Sequence, residues 1–229
     1  MVMNKQKGNM YPFVTHTKNY IKGKCEHDCT YCYMKVYPQN NIRLDETEFK
    51  ENMGSGNFIF VGSSTDMWSD NIPREWIERI IAHCMVYPHN IYLYQTKNPL
   101  RYTEFAKPPK FVLGTTIETN REDLVKLHSK APTIENRVYW MMQLPNLTRK
   151  MITIEPIMDF DLVELVNIIH NIRPEWVNVG ADSKGHKLPE PSAEKVNALI
   201  KELKTFTEVK IKDNLKRLTG GLLPSNGSV

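Results

Sequence analysis

The chain has 229 residues, 41% of them hydrophobic, and 30 Lys and Arg against 26 Asp and Glu give a formal charge of +4. That length supports one sizeable core and is short for two, and so mild a charge lacks the basic stripe that marks a nucleic-acid binder unaided. No run of eighteen apolar residues occurs, the first ten residues lack a signal-peptide core, and four cysteines make no disulfide framework, so a cytoplasmic protein with no membrane partner is expected.

A cysteine loop comes first along the chain, at about residues 24–35, with Cys25, Cys29 and Cys32 written C-E-H-D-C-T-Y-C. Three thiolates so spaced suit three corners of a cubic [4Fe–4S] cluster and leave the fourth iron without a protein ligand. Such an open iron is a place for chemistry, in contrast to clusters closed by four cysteines. A structural zinc site is the alternative, but it wants four ligands, commonly two separated Cys pairs. The remaining cysteine, Cys84, falls on the apolar face of a predicted helix, which leaves His27 and His16 as further ligand candidates. Lys22, Lys24 and Lys35 flank the loop and would either offset the charge of a thiolate-bound cluster or form a solvated face.

Beyond residue 55, apolar and β-branched runs predict strands at Asn57–Val61, Asn90–Gln95, Phe111–Thr116, Met151–Ile154, Trp176–Val179 and Glu208–Ile211. Between them, Pro73–Tyr87 carries Trp76, Ile77, Ile80, Ile81, Cys84 and Met85 on one helical face, with Pro73 suited to the first turn. Glu122–Lys130 reads as a shorter helix with Leu124, Val125 and Leu127. Leu162, Val163, Leu165, Val166 and Ile169 make another apolar face, and Val196, Leu199, Ile200 and Leu203 a further one, opened by Pro191-Ser192. Strand starts recur every 20 to 40 residues or so, the pitch of βαβ units. With one more strand near the cysteines, an α/β fold follows, its parallel sheet closed or nearly closed into a barrel. Residues 1–229 read as one domain, with a frayed tail at about 219–229.

In such a barrel, reactive groups gather where strands end. Those positions hold Ser63, Ser64, Thr65 and Asp66, then Thr96, Lys97 and Asn98, then Thr116 and Glu118, then Glu155, and lastly Asp182, Lys184 and His186. Each also has a structural alternative. Residues 63–66 could cap the following segment, Lys97 could be a turn lysine, and Glu118 and Glu155 could pair with Arg121 or Arg137. Trp68, Trp76, Trp140 and Trp176 read as core or cavity wall.

The loop C-E-H-D-C-T-Y-C-Y resembles the CxxxCxΦC motif of the radical S-adenosylmethionine (SAM) superfamily. G-S-S-T-D-M (62–67), Y-Q-T-K (94–97), L-G-T-T-I-E (113–118) and I-E-P-I (154–157) resemble the spore photoproduct lyase branch. I-F-V-G-S-S-T-D-M-W, I-P-R-E-W-I-E-R and W-V-N-V-G-A-D are similar to a phage-associated radical SAM-like group of unknown function. The resemblance implies a partial (β/α)6-type TIM barrel of parallel strands with outer helices, with Cys25, Cys29 and Cys32 as cluster ligands. It implies that Ser64, Thr65 and Asp66 meet the methionine amino group of SAM, with Lys97 at its carboxylate or a ribose hydroxyl. Thr116 and Glu118 would lie at the ribose, and Tyr31 and the Glu155 backbone near the adenine. Asp182, Lys184 and His186 are the substrate-side candidates, joined by Asp70 and Asp159.

One departure matters. Where the repair lyases place a hydrogen-returning cysteine, this chain has Ser63, whose O–H bond is too strong for that task. The expected reaction is cleavage of SAM to a 5′-deoxyadenosyl radical that removes hydrogen from a substrate. The phage-associated resemblance tilts that substrate toward a nucleotide or nucleic-acid base, and an external flavodoxin- or ferredoxin-type donor would supply the electron. Two alternatives stay open: a transferase of a methyl or aminocarboxypropyl group from SAM, and a nucleic-acid-binding module stapled by zinc or iron–sulfur.

Overall fold

A computed structural model describes residues 3–6, 8 and 10–220. In chain order it contains β1 (Asn4–Lys5), β2 (His16–Lys18), a short hairpin of β3 (Ile21–Lys22) and β4 (Arg43–Leu44), β5 (Phe58–Val61), α1 (Arg74–Met85), β6 (Ile91–Thr96), β7 (Phe111–Thr116), α2 (Glu122–His128), α3 (Ile134–Gln143), β8 (Lys150–Ile154), α4 (Leu162–Ile172), β9 (Trp176–Val179), α5 (Ala193–Leu203), β10 (Glu208–Ile211) and α6 (Lys216–Thr219). Strands β2 and β5 to β10 pair in parallel, each with the next, and β1 adds one antiparallel edge. The molecule is thus a partial barrel of parallel strands with helices outside.

The alternation of side chains along these strands divides the core in two. Ile59, Val61, Tyr92, Leu113, Ile152, Ile154, Val177 and Val179 face the helices, whose apolar stripes cover them. Phe60, Leu93, Val112 and Met151 point the other way, into the bore, where Tyr11, Val14 and Trp176 join them. Gly114 makes this layer possible, because a Cβ there would lie 2.8 Å from the Met151 methyl. The segment before β2 closes the bore at its N-terminal end. Tyr11 stacks on Phe13 at 5.3 Å, and Phe13 meets the edges of Phe58 and Trp176, the first residues of β5 and β9. With that end plugged, the open space lies at the C-terminal strand ends.

The helices follow their sequence signals with informative exceptions. Ser192 caps α5 by accepting from the Lys195 amide, and Val196, Leu199, Ile200 and Leu203 are all buried beneath it. In α1, Pro73 is the capping residue rather than a first-turn residue, and Met85 is exposed while Cys84 is buried. Leu127 and Val163 point to solvent rather than into their predicted faces. Helix α3, capped by Thr133, was not expected from the sequence, because Arg137 lies on its buried face and breaks the apolar stripe. Between β6 and β7 only a 3-10 turn, Pro99–Glu104, makes the crossover. Of the tail expected at 219–229, Thr219 is buried as the last residue of α6, and 221–229 lie outside the described residues.

Candidate functional site

A cavity of about 1120 Å³ opens at the C-terminal strand ends. Cys25, Cys29 and Cys32 line one side, with Tyr31 and Tyr33 beside them, and all three thiols are free. Burial pushes the Cys25 thiol up to about 11 and raises that of Cys32 as well. Any metal bound here therefore has protons to displace. Among the described residues, no three His, Cys, Asp or Glu side chains share the close spacing of a single-ion site.

The cysteine loop is held from two directions. The stretch after α2 clasps it, with the Thr30 amide donating to the His128 carbonyl at 2.7 Å and the Lys130 amide to the His27 carbonyl at 2.8 Å. The Cys29 sulfur lies 3.1 Å from the Ser129 hydroxyl. At the loop's apex Asp28 adopts a left-handed conformation, and Lys24, Lys35 and Lys130 converge on its carboxylate. Lys22, expected beside the loop, pairs instead with Glu48 at 2.9 Å. From the barrel side, Asp66 Oδ2 lies 2.8 Å from His27 Nε2, bolting the loop to the end of β5.

Several predicted residues converge on the cavity while spending their polar groups on the protein. Asp66 accepts from the Thr96 hydroxyl at 2.7 Å and from the Lys97 and Trp68 amides at 3.0 and 2.9 Å, besides His27. Burial opposes the charge of this carboxyl, yet His27 and those donors hold it below the usual range. Thr65 donates to the Gly23 carbonyl at 3.0 Å. Ser64 differs: its amide reaches Asn19, but its buried hydroxyl oxygen, on the cavity wall, has no hydrogen-bond partner among the described residues.

The Lys97 ammonium lies 3.2 Å from Cys29 Sγ, 2.6 Å from the Tyr31 hydroxyl and 2.7 Å from Glu118 Oε1. Glu118 is fully buried and absent from the cavity wall, and its second oxygen takes Arg137 at 2.8 Å. Against the effect of burial, Lys97 and Arg137 hold the Glu118 carboxyl down to about 2. Of the two arginines considered for Glu118, Arg137 is the partner, while Arg121 pairs with Asp159 and Asp161.

The cavity floor is a polar layer. The Tyr11 hydroxyl bridges Gln95 Oε1 and Thr153 Oγ1, both at 2.8 Å, and Gln95 donates to the Thr116 hydroxyl at 3.1 Å. Neither Tyr11 nor Gln95 was a sequence candidate; the signal for Gln95 is its position next to the rim residues Thr96 and Lys97 on an inward-facing register. On the far wall, Glu155 meets Lys212 at 2.8 Å and Asn214 at 3.1 Å. Asp182 and Lys184 line that wall beside Lys216 and Arg217, whereas His186 stands behind Asp182, its Nδ1 2.6 Å from the carboxylate. Asp70 accepts from Asn98 outside the cavity, and Asp159 is tied to Arg121 and Lys195.

The profile of a family described as "Protein of unknown function (DUF5131)" matches residues 13–204. No curated protein matches. Among solved structures, a spore photoproduct lyase mutant with bound AdoMet and dinucleoside spore photoproduct is similar with a TM-score of 0.67 and 10% identity, over 90% of this chain and 78% of that one. Streptococcus suis SuiB bound to S-adenosylmethionine is similar with a TM-score of 0.61 and 10% identity, over 91% of this chain and 53% of that one. SuiB bound to its precursor peptide SuiA gives a TM-score of 0.60, also at 10% identity, over 93% of this chain and 52% of that one. At that identity these likenesses establish the fold.

Proposed function

We propose that this chain, which belongs to the DUF5131 family of proteins of unknown function, is a radical SAM enzyme. The observation that carries this reading is the placement of three free thiols on one wall of a large cavity at the C-terminal mouth of a partial barrel. The donor set fits a cluster with one open iron: Cys25, Cys29 and Cys32 would hold it, and the partnerless Ser64 hydroxyl beside them is a group awaiting a polar ligand. When bound, the cluster and SAM supply a 5′-deoxyadenosyl radical able to take hydrogen from an unactivated C–H bond.

The protein's own groups orient and enclose. His27 and Asp66 hold the thiol loop against the barrel. Ser64 is placed to contact the methionine end of SAM. The floor of Tyr11, Gln95, Thr116 and Thr153 offers hydroxyls and an amide to the ribose hydroxyls. Asp66 and Lys97, by contrast, have their hydrogen-bonding capacity occupied by protein, so they serve the site by holding it. A cavity of this size accommodates a cofactor and a substrate side by side.

The far wall offers cations to an anionic substrate, since Lys184, Lys212, Lys216 and Arg217 line it, although Lys212, Lys216 and Arg217 pair with Glu155, Asp213 and Glu190 and would have to share their donors. A nucleotide or nucleic-acid base fits that chemistry, and the dinucleoside bound by the similar spore photoproduct lyase supports it. The electron would come from a low-potential flavodoxin- or ferredoxin-type donor. Anaerobic reconstitution with iron and sulfide, then dithionite and SAM, tests the reading. Release of methionine and 5′-deoxyadenosine supports it; methylthioadenosine or S-adenosylhomocysteine would indicate group transfer instead. A cluster-loaded protein that leaves SAM intact would refute it.

A further inference from the structure

Lys97 lines the cavity, yet its ammonium is surrounded by groups of the protein. An ammonium has three N–H donors, and three acceptors surround this one: Cys29 Sγ at 3.2 Å, the Tyr31 hydroxyl at 2.6 Å and Glu118 Oε1 at 2.7 Å. Its backbone amide is tied to Asp66 as well, so the residue is fixed at both ends. Behind Glu118, Arg137 is completely buried and donates to the Thr116 carbonyl at 2.9 Å and the Pro132 carbonyl at 2.7 Å. The result is a string of cation, anion and cation with a net positive charge and one end on a cysteine sulfur.

Burying three charges is costly, and an apolar trio of the same volume would pack there more cheaply. A lone Lys97–Glu118 pair would present no net charge to the sulfur. The second cation, Arg137, leaves an excess of one positive charge beside Cys29. Hydrogen bonds to the sulfurs and local charge are what a protein uses to set the potential of an iron–sulfur cluster. An N–H donated to a thiolate draws electron density from it, and a nearby cation favours the state carrying one more electron.

We propose that Lys97 is a positioning residue acting through the Cys29 thiolate, and that Arg137 is the buried cation that keeps Glu118 from cancelling its charge. Together they let the cluster accept one electron at a less negative potential than its three thiolates alone would permit. The inference rests on the cluster assignment proposed above. No proton need move: the step is the uptake of one electron from an external low-potential donor.

The test is a redox titration of the reconstituted protein without SAM, following the reduced cluster by electron paramagnetic resonance, after iron and sulfide have been counted. Lys97→Met should be at least tenfold harder to reduce, which for a one-electron couple is about 59 mV. Lys97→Arg, which still donates a charged N–H, should stay within about threefold of the wild type. Lys97→Gln, a weaker neutral donor, should fall between them, and Arg137→Gln should shift in the same direction as Lys97→Met. A loaded Lys97→Met protein with an unmoved potential overturns the proposal, and overturns it most plainly if its SAM affinity has dropped. Wild-type protein that takes up no cluster would instead defeat the cluster assignment itself.

Discussion

Asp66→Asn separates a residue that holds the site from one that binds a ligand. Asp66 Oδ2 receives His27, the Thr96 hydroxyl and the Lys97 amide, and Oδ1 receives the Trp68 amide. Asparagine keeps the shape but turns one oxygen into an NH2. If its oxygen faces the three donors, the NH2 meets the Trp68 N–H; turned over, it meets all three. Leaving one buried donor unpaired costs about 1–3 kcal/mol, and loss of charge assistance in the remaining bonds brings the expected cost to about 3 kcal/mol. At this chain length each kcal/mol moves the melting temperature by about 2–4 °C, so a fall of about 6–12 °C is expected. Circular dichroism melts of reduced, iron-free protein measure it directly. The sign of the pH dependence follows from the depressed carboxyl: its contribution is complete above the ordinary aspartate value of about 3.8 and is lost as pH falls through the lower folded value. The gap between wild type and variant should therefore close below about pH 4. An Asn variant with an unchanged melt that has lost only SAM binding would refute the reasoning and return the carboxylate to the ligand.

Ser64→Ala should leave the melting temperature within about 1–2 °C, because no group among the described residues bonds that hydroxyl, while weakening SAM binding about 2- to 12-fold by calorimetry. Cys84→Ala should cost about 1 kcal/mol of stability and leave iron content unchanged, since burial has pushed that thiol up to about 12 and it lies away from the cavity; Ala at Cys25, Cys29 or Cys32 should abolish cluster loading. Arg137→Met, by removing one of the two cations that hold Glu118, should lower stability by about 3 kcal/mol in urea unfolding. For Glu118→Gln, the loss relative to wild type should be largest above about pH 4.5 and shrink as pH falls toward about 2, where the wild-type carboxyl takes up its proton.

The strands Phe111–Thr116 and Trp176–Val179 could be read to the residue, because a parallel sheet covered on both faces needs short, mostly apolar or β-branched runs. The edge strand Glu208–Ile211 was legible from Val209 and Ile211 alternating with Glu208 and Lys210. Helix α5 was equally legible from its Ser192 cap and apolar stripe. Helix α3 was not, and the reason is chemical: Arg137 occupies a core position because Glu118 needs a cation, so the residue that holds the site erased the periodicity of its own helix. The plug formed by Tyr11 and Phe13 has no periodic signature, since it is an irregular segment filling a bore that exists only once the sheet has curled. The cysteine spacing marked the loop as a candidate metal site. Which groups support that loop depended on contacts between residues far apart in sequence, such as His27 with Asp66 and Lys97 with Cys29. Local pattern carries no trace of these. The same contacts give Asp66 and Lys97 protein partners in addition to their places on the cavity wall.

The central claim is that three cysteines leave one iron open for SAM. Electron–nuclear double resonance on the reduced, reconstituted protein tests it most directly, using SAM labelled with 15N at the methionine amino group and 17O at its carboxylate. Hyperfine coupling of both labels to the cluster is predicted. A cluster whose spectrum is indifferent to SAM, or a protein that binds one zinc and no sulfide, would contradict it.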